Sequence, residues 1–134
     1  MDLVDNYIPM DVTPTFAYID VQWVDVECLE GMKKTIERSP DLIIVTEWTA
    51  FSKLMPRDQY VEHLKALLLW FEGLKYRFWR LDLPNYNNHP RNCLKKKFLE
   101  MSREELLRVT DELYRRRIFI DIVIAPAHVE ANLL

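Results

Sequence analysis

Apolar and polar positions along this chain fall into runs whose spacing switches between a strand period and a helix period. Phe16-Ala17-Tyr18-Ile19-Asp20-Val21 follows Pro14 as a short, mostly apolar run, which predicts a strand. From Val24 to Arg38 the spacing turns helical, with Val24, Cys28, Leu29 and Met32 on one face. Gly31 is expected to break this stretch into two short helices, because glycine disfavours a helix interior. Pro40 ends it, and Asp41 to Trp48 follows with a continuous apolar centre. A run without alternation suits a strand buried on both faces. Pro56 and Gly73 bracket a long helix expected from Arg57 to Glu72, with Val61, Leu64, Leu68 and Phe71 as its apolar stripe. Lys75 to Leu81 alternates and predicts a third strand, and Leu83 to Arg91, rich in Pro and Asn, predicts a loop. Ser102-Arg103-Glu104-Glu105 has the form of a capping box, opening a helix expected to reach about Tyr114. Ile118 to Ile124 is a last apolar strand, ended by Pro126.

Strand, helix, strand, helix, strand, helix, strand is the order of a layered α/β fold. The expected architecture is a mostly parallel sheet of about four strands with flanking helices. With 134 residues there is room for one domain. Half-apolar composition with 29% charged residues is a globular balance, far from the disordered extreme.

Charge narrows the partners. A formal net charge of −3 argues against a nucleic-acid binder. The one dense basic run, Lys95-Lys96-Lys97 near Arg91, reads as a solvated loop or helix face, with a phosphate-binding patch as the alternative. Cys28 and Cys93 lie far apart with no Cys-x-x-Cys, so neither a disulfide framework nor a structural zinc site is expected. His89 and Cys93 are four apart, but two residues do not make a metal site, and no metal is expected. Met1 to Asp5 is acidic and lacks an apolar run, so no signal peptide is expected. Ala66 to Phe71, the longest apolar stretch, is too short to span a membrane, and a cytoplasmic location is expected by default.

In open α/β sheets ligands bind beyond the carboxyl ends of the strands. Asp20 ends the first predicted strand and Glu47 the second, while Asp82, Asn85, Asn87 and His89 follow the third. If these strands are parallel, all of these groups face one edge. An acid at each of two strand ends suits a general base, a metal ligand or a hydroxyl acceptor. The alternative is that both acids cap helices or pair with nearby Arg and Lys. The chain contains two glycines, Gly31 and Gly73, both at predicted helix breaks. No glycine-rich phosphate or cofactor loop can be written from it, and no Gly-x-Ser-x-Gly elbow.

Ile19-Asp20-Val21-Gln22-Trp23-Val24-Asp25-Val26-Glu27-Cys28-Leu29-Glu30-Gly31 resembles the signature of the FkbM-like methyltransferases. That family reads Ile-Asp-Val-Glu-Gly-Ala-Glu, then two variable residues, then Val-Leu-Lys-Gly. The likeness extends to the lead-in Leu3 to Ile8, to Lys33 to Trp48, to Tyr76 to Arg80 and to the last helix and strand; Leu83 to Met101 fits poorly. The resemblance implies a Rossmann-like fold and S-adenosylmethionine-dependent O-methylation of a small metabolite or sugar. It covers the carboxyl-terminal half of that family only, whose glycine-rich cofactor loop lies upstream. Asp20 and Glu47, the acids at the two strand ends, are the expected catalytic residues, with Asp20 favoured because it matches the family pattern, and Gln22, Trp23 and Asp25 are the expected cofactor-binding positions. Gln22 stands where the family has Glu, and Trp23 where it has Gly; Asp25 keeps the charge of the second Glu.

The chain alone is therefore expected not to be competent as a methyltransferase. Two other expectations stand beside that one. An exposed edge on the first strand suits a half completed by a partner chain or a homo-oligomer. A non-enzymatic interaction module would reuse the fold, with Trp23, Trp48 and Trp79 as aromatic anchors or as core.

Overall fold

A computed structural model of the chain describes residues 3–82 and 97–129. Among these residues, strands β1 (Phe16–Ile19), β2 (Ile43–Trp48), β3 (Tyr76–Asp82), β4 (Lys97–Met101) and β5 (Ile120–Pro126) form a five-stranded sheet. The helices are α1 (Asp25–Gly31), α2 (Lys33–Glu37), α3 (Arg57–Gly73) and α4 (Arg103–Arg116), after a 3-10 turn at Val4–Asn6. Gly31 and Gly73 each close a helix, as expected. A side-chain carbon on Gly31 would stand 3.4 Å from the Val4 amide nitrogen, so its absence lets the 3-10 turn pack close to α1.

The strand order is β1-β2-β5-β3-β4. Only β1 and β2 pair in parallel; β2 with β5, β5 with β3 and β3 with β4 are antiparallel. The sheet is thus mixed and five-stranded, which corrects the expected mostly parallel, Rossmann-like sheet of about four strands. The reason is β4, which the apolar pattern did not announce. It folds back along β3 and reverses the chain, so α4 returns β5 antiparallel, into the slot between β2 and β3. An apolar run buried on both faces looks the same in either direction, so burial alone carried no information about it.

Crossovers between strands of like direction are right-handed in nearly all proteins. Three occur here: β1 to β2 through α1 and α2, β2 to β3 through α3, and β4 to β5 through α4. The last runs in the opposite direction and also steps backward across the sheet, so the same hand places its helix on the same face. Accordingly the buried residues of all four helices, among them Leu29, Ile36, Leu64, Leu68, Phe71, Leu106 and Leu113, share one core with Ile19, Ile44, Trp48, Phe78, Ile122 and Ile124 of the sheet. The second face holds a separate small cluster, Trp79, Val123 and Ala125, with Ile43, Val45, Phe98 and Val129 around it. Over β1 this face is open: Phe16 and Tyr18 are 59% and 62% exposed.

Local devices anchor the helices. Ser102 caps α4 as its sequence predicts: its hydroxyl accepts from the Glu105 amide at 3.2 Å, and the Glu105 carboxylate accepts from the Ser102 amide at 2.8 Å. Asp5 caps α2 from a distance in sequence, accepting from the amides of Lys34 (3.0 Å) and Thr35 (2.8 Å) and from the Thr35 hydroxyl (2.7 Å). No helix among the described residues is long and apolar enough to cross a membrane.

Trp48 and Trp79 are core residues and not anchors on the surface. The Trp48 indole N–H donates to the Thr110 hydroxyl at 2.9 Å, which in turn donates to the Leu106 carbonyl at 2.7 Å. This joins β2 to α4 through buried polar groups that leave no donor unmet. Trp48→Ala should lower the unfolding free energy by about 3–5 kcal/mol in urea titration, the usual cost of removing a buried tryptophan. A loss below about 1 kcal/mol would place the indole outside the core.

Candidate functional site

β1, β2 and β3 point the same way, so their carboxyl ends lie on one edge with the amino end of β5. Side chains alternate between faces along a strand. Tyr18 is in register with Val45, Val45 with Val123, and Val123 with Trp79, which defines one row of the second face. The next row toward the edge is acidic. Glu47 faces Asp121 directly across the β2–β5 pair, and Asp20, one residue past the Ile19–Thr46 pair, falls beside Glu47. The structure thus brings Asp20 and Glu47 together, as the sequence predicted, and adds Asp121.

Like charges directly opposite on adjacent strands repel. No ion pair reaches Asp20, Glu47 or Asp121 among the described residues. Partial burial, then Asp20, Asp25 and Asp121, push the Glu47 carboxyl above its usual range. Burial and Asp20 do the same to Asp121. The Tyr18 phenol beside them is also raised, by desolvation and then by Asp20, Asp121 and Glu47. No group of three or more His, Cys, Asp or Glu among the described residues is arranged to hold a metal ion.

The loop after β1 is built around Asp25. This aspartate is 1% exposed, and its carboxylate accepts from the amides of Val21 (3.3 Å) and Trp23 (3.2 Å). Burial raises its pKa, and the two amides work against that rise. Asp25 therefore fixes a turn, with each carboxylate oxygen engaged by a backbone amide. The turn drives Gln22 and Trp23 into the left-handed region, with φ of 47° and 75°. For a bulky residue this is a strained backbone, sustained here by what surrounds it. The Trp23 carbonyl accepts from the Lys53 amide at 3.1 Å, tying the loop to the segment after β2.

Trp23 does not fill the sheet; it opens a second feature on the helix side of the edge. Its ring lies 5.6 Å from Phe51, and Phe51 lies 6.5 Å from Tyr114 of α4. With Arg117, Ile118 and Phe119 these rings line a cleft of about 710 Å³. Another cleft, of about 460 Å³, sits at the opposite end of the sheet around Ile36, Tyr76 and His128. Asn85, Asn87, His89, Cys93 and Lys95-Lys96 lie outside the described residues.

Several residues here escaped the sequence reading. Asp121 was absorbed into an apolar strand whose assumed direction placed it at the wrong edge; a lone acid between Ile120 and Ile122 was the available signal. Phe51 and Tyr114 carried none, since a single aromatic in a loop or on a helix is ordinary. No protein-family model matches the chain, and no curated protein matches it.

The acidic row yields a pH-dependent prediction. A raised folded-state carboxyl pKa means that ionisation costs stability above that pKa and nothing below the unfolded value. Glu47→Gln should therefore stabilise the protein at pH 7 by about 0.2–1 kcal/mol, with solvent screening holding it to the low end. Thermal unfolding should show this gain shrinking as pH falls through the raised pKa toward about 4. An equal gain at both pH values would show that charge repulsion is not its source.

Proposed function

We propose that this chain is an FkbM-like methyltransferase domain directed at a hydroxyl of a small metabolite or sugar, and that these residues do not hold S-adenosylmethionine by themselves. One observation carries the proposal. Trp23 adopts φ 75° at the signature position that the resembling family fills with glycine. Glycine takes that conformation without strain, whereas tryptophan does not. A backbone that keeps a glycine geometry under a bulky side chain supports descent from a glycine-bearing turn.

The residues present do not fit the cofactor. The Val21 and Trp23 amides are already bound by Asp25, and both glycines end helices. What remains is an acceptor side. Asp20 is exposed and accepts hydrogen bonds from hydroxyl groups; Glu47, whose proton affinity is raised by burial and by its acidic neighbours, is the base.

A second reading is favoured by the free edge of β1. Phe16 and Tyr18 are exposed on the open face, and among the described residues the strand pairs only with β2. Such an edge pairs with another chain, which makes this domain one part of an assembled protein, either a homo-oligomer or a complex with a different chain.

Two titrations test the first reading together. Calorimetry with S-adenosylmethionine should show no one-to-one binding to this chain. Saturation-transfer NMR with neutral monosaccharides should show contact that falls about fivefold in Asp20→Asn and in Glu47→Gln, the loss of one charge-assisted hydrogen bond. Tight one-to-one cofactor binding, or sugar contact indifferent to both substitutions, would contradict it.

A further inference from the structure

The cleft beside Trp23 has a composition opposite to that of the acidic row. Its walls are Trp23, Phe51, Tyr114, Ile118 and Phe119, and among the described residues no carboxylate lines it. Trp23 (37% exposed), Tyr114, Ile118 and Phe119 present their apolar surface to solvent. A contiguous exposed apolar patch is uncommon on a protein surface and marks a binding site. At about 710 Å³ the cleft lies within the usual range for small-molecule sites.

The rim is basic. Arg115 and Arg117 line the cleft, and the Lys53 ammonium stands 3.8 Å from the Trp23 ring centroid. Arg57 lies 4.3 Å from the Tyr114 ring, but Asp111 at 2.6 Å already satisfies it. Lys53, Arg115 and Arg117 have no ion-pair partner among the described residues. The rings are set at 34° and 75° to one another, so the wall is a tilted aromatic surface of the kind a flat group packs against. Cations without carboxylates call for an anion, and the Arg fork matches a phosphate or carboxylate.

We propose that this cleft binds a planar aromatic anion, with its ring between Trp23, Phe51 and Phe119 and its charged group toward Arg115 and Arg117. The site uses neither Asp20 nor Glu47, and it stands whether or not the methyltransferase reading holds. The strained turn at Gln22–Trp23 is then the device that turns the indole out of the sheet edge and into the cleft wall.

The probe is 1-naphthyl phosphate, with 1-naphthol and inorganic phosphate as its separated halves, in an amide and indole NMR titration. Saturable shifts are expected at Trp23, Phe51, Ile118 and Phe119, with naphthyl phosphate binding about tenfold tighter than either half. Trp23→Ala and Arg117→Gln should each weaken it about fivefold or more, while Arg108→Gln, on α4 away from the cleft, leaves it unchanged. An unshifted Trp48 indole resonance confirms that each variant is folded, and Arg115→Gln replaces either one that is not. Equal affinity for naphthol and naphthyl phosphate, shifts that map to another surface, or the absence of saturable shifts would overturn the proposal.

Discussion

The handedness of strand crossovers is the constraint on which this structure depends. All three crossovers deliver their helices to one face of the sheet, the third while running backward across it, and a common hand gives that arrangement. The outcome is a two-layer domain with one main core. β5 becomes the centre of the sheet although it comes last in the chain, paired on one side with β2 and on the other with β3. Ile122 and Ile124 are fully buried there, against residues from α3 and α4. The acidic row at the candidate edge follows from that placement. Asp121 meets Glu47 only because β5 enters antiparallel beside β2.

The edge then divides by face. On the helix-free side, three carboxylates gather without an ion-pair partner among the described residues, and burial with the neighbouring charges raises the proton affinities of Glu47 and Asp121. On the helix side, Trp23, Phe51 and Tyr114 form an aromatic wall under a basic rim. Asp25 separates the two. Its carboxylate closes the turn that sends Asp20 one way and the Trp23 ring the other.

Signals that are local in sequence were legible. The Ser102–Glu105 capping box needs four consecutive residues, and it forms as read. Gly31 and Gly73 end helices because glycine is poor in a helix interior wherever the fold places it. The placement of Asp20 and Glu47 on one edge was also legible, since Asp20 follows β1 and Glu47 lies at the end of β2, and these two strands pair in parallel. The sense of β5 stayed hidden. It is decided by pairing with residues distant in sequence, and the short strand β4, Lys97–Met101, has no clean alternation to reveal it. The roles of the tryptophans were equally hidden. Trp48 sits between Glu47 and Thr49 and Trp23 between Gln22 and Val24, and neither setting announces that one is buried and hydrogen-bonded to Thr110 while the other lines a cleft.

Native-state hydrogen exchange tests the central placement of β5 most directly. Amides of Ile122, Val123 and Ile124 should exchange only through global unfolding, with the full denaturant dependence of that transition, while amides of β1 exchange faster through local opening of the edge. Fast, denaturant-independent exchange in β5 together with strong protection of β1 would put the last strand at the sheet edge and contradict the account.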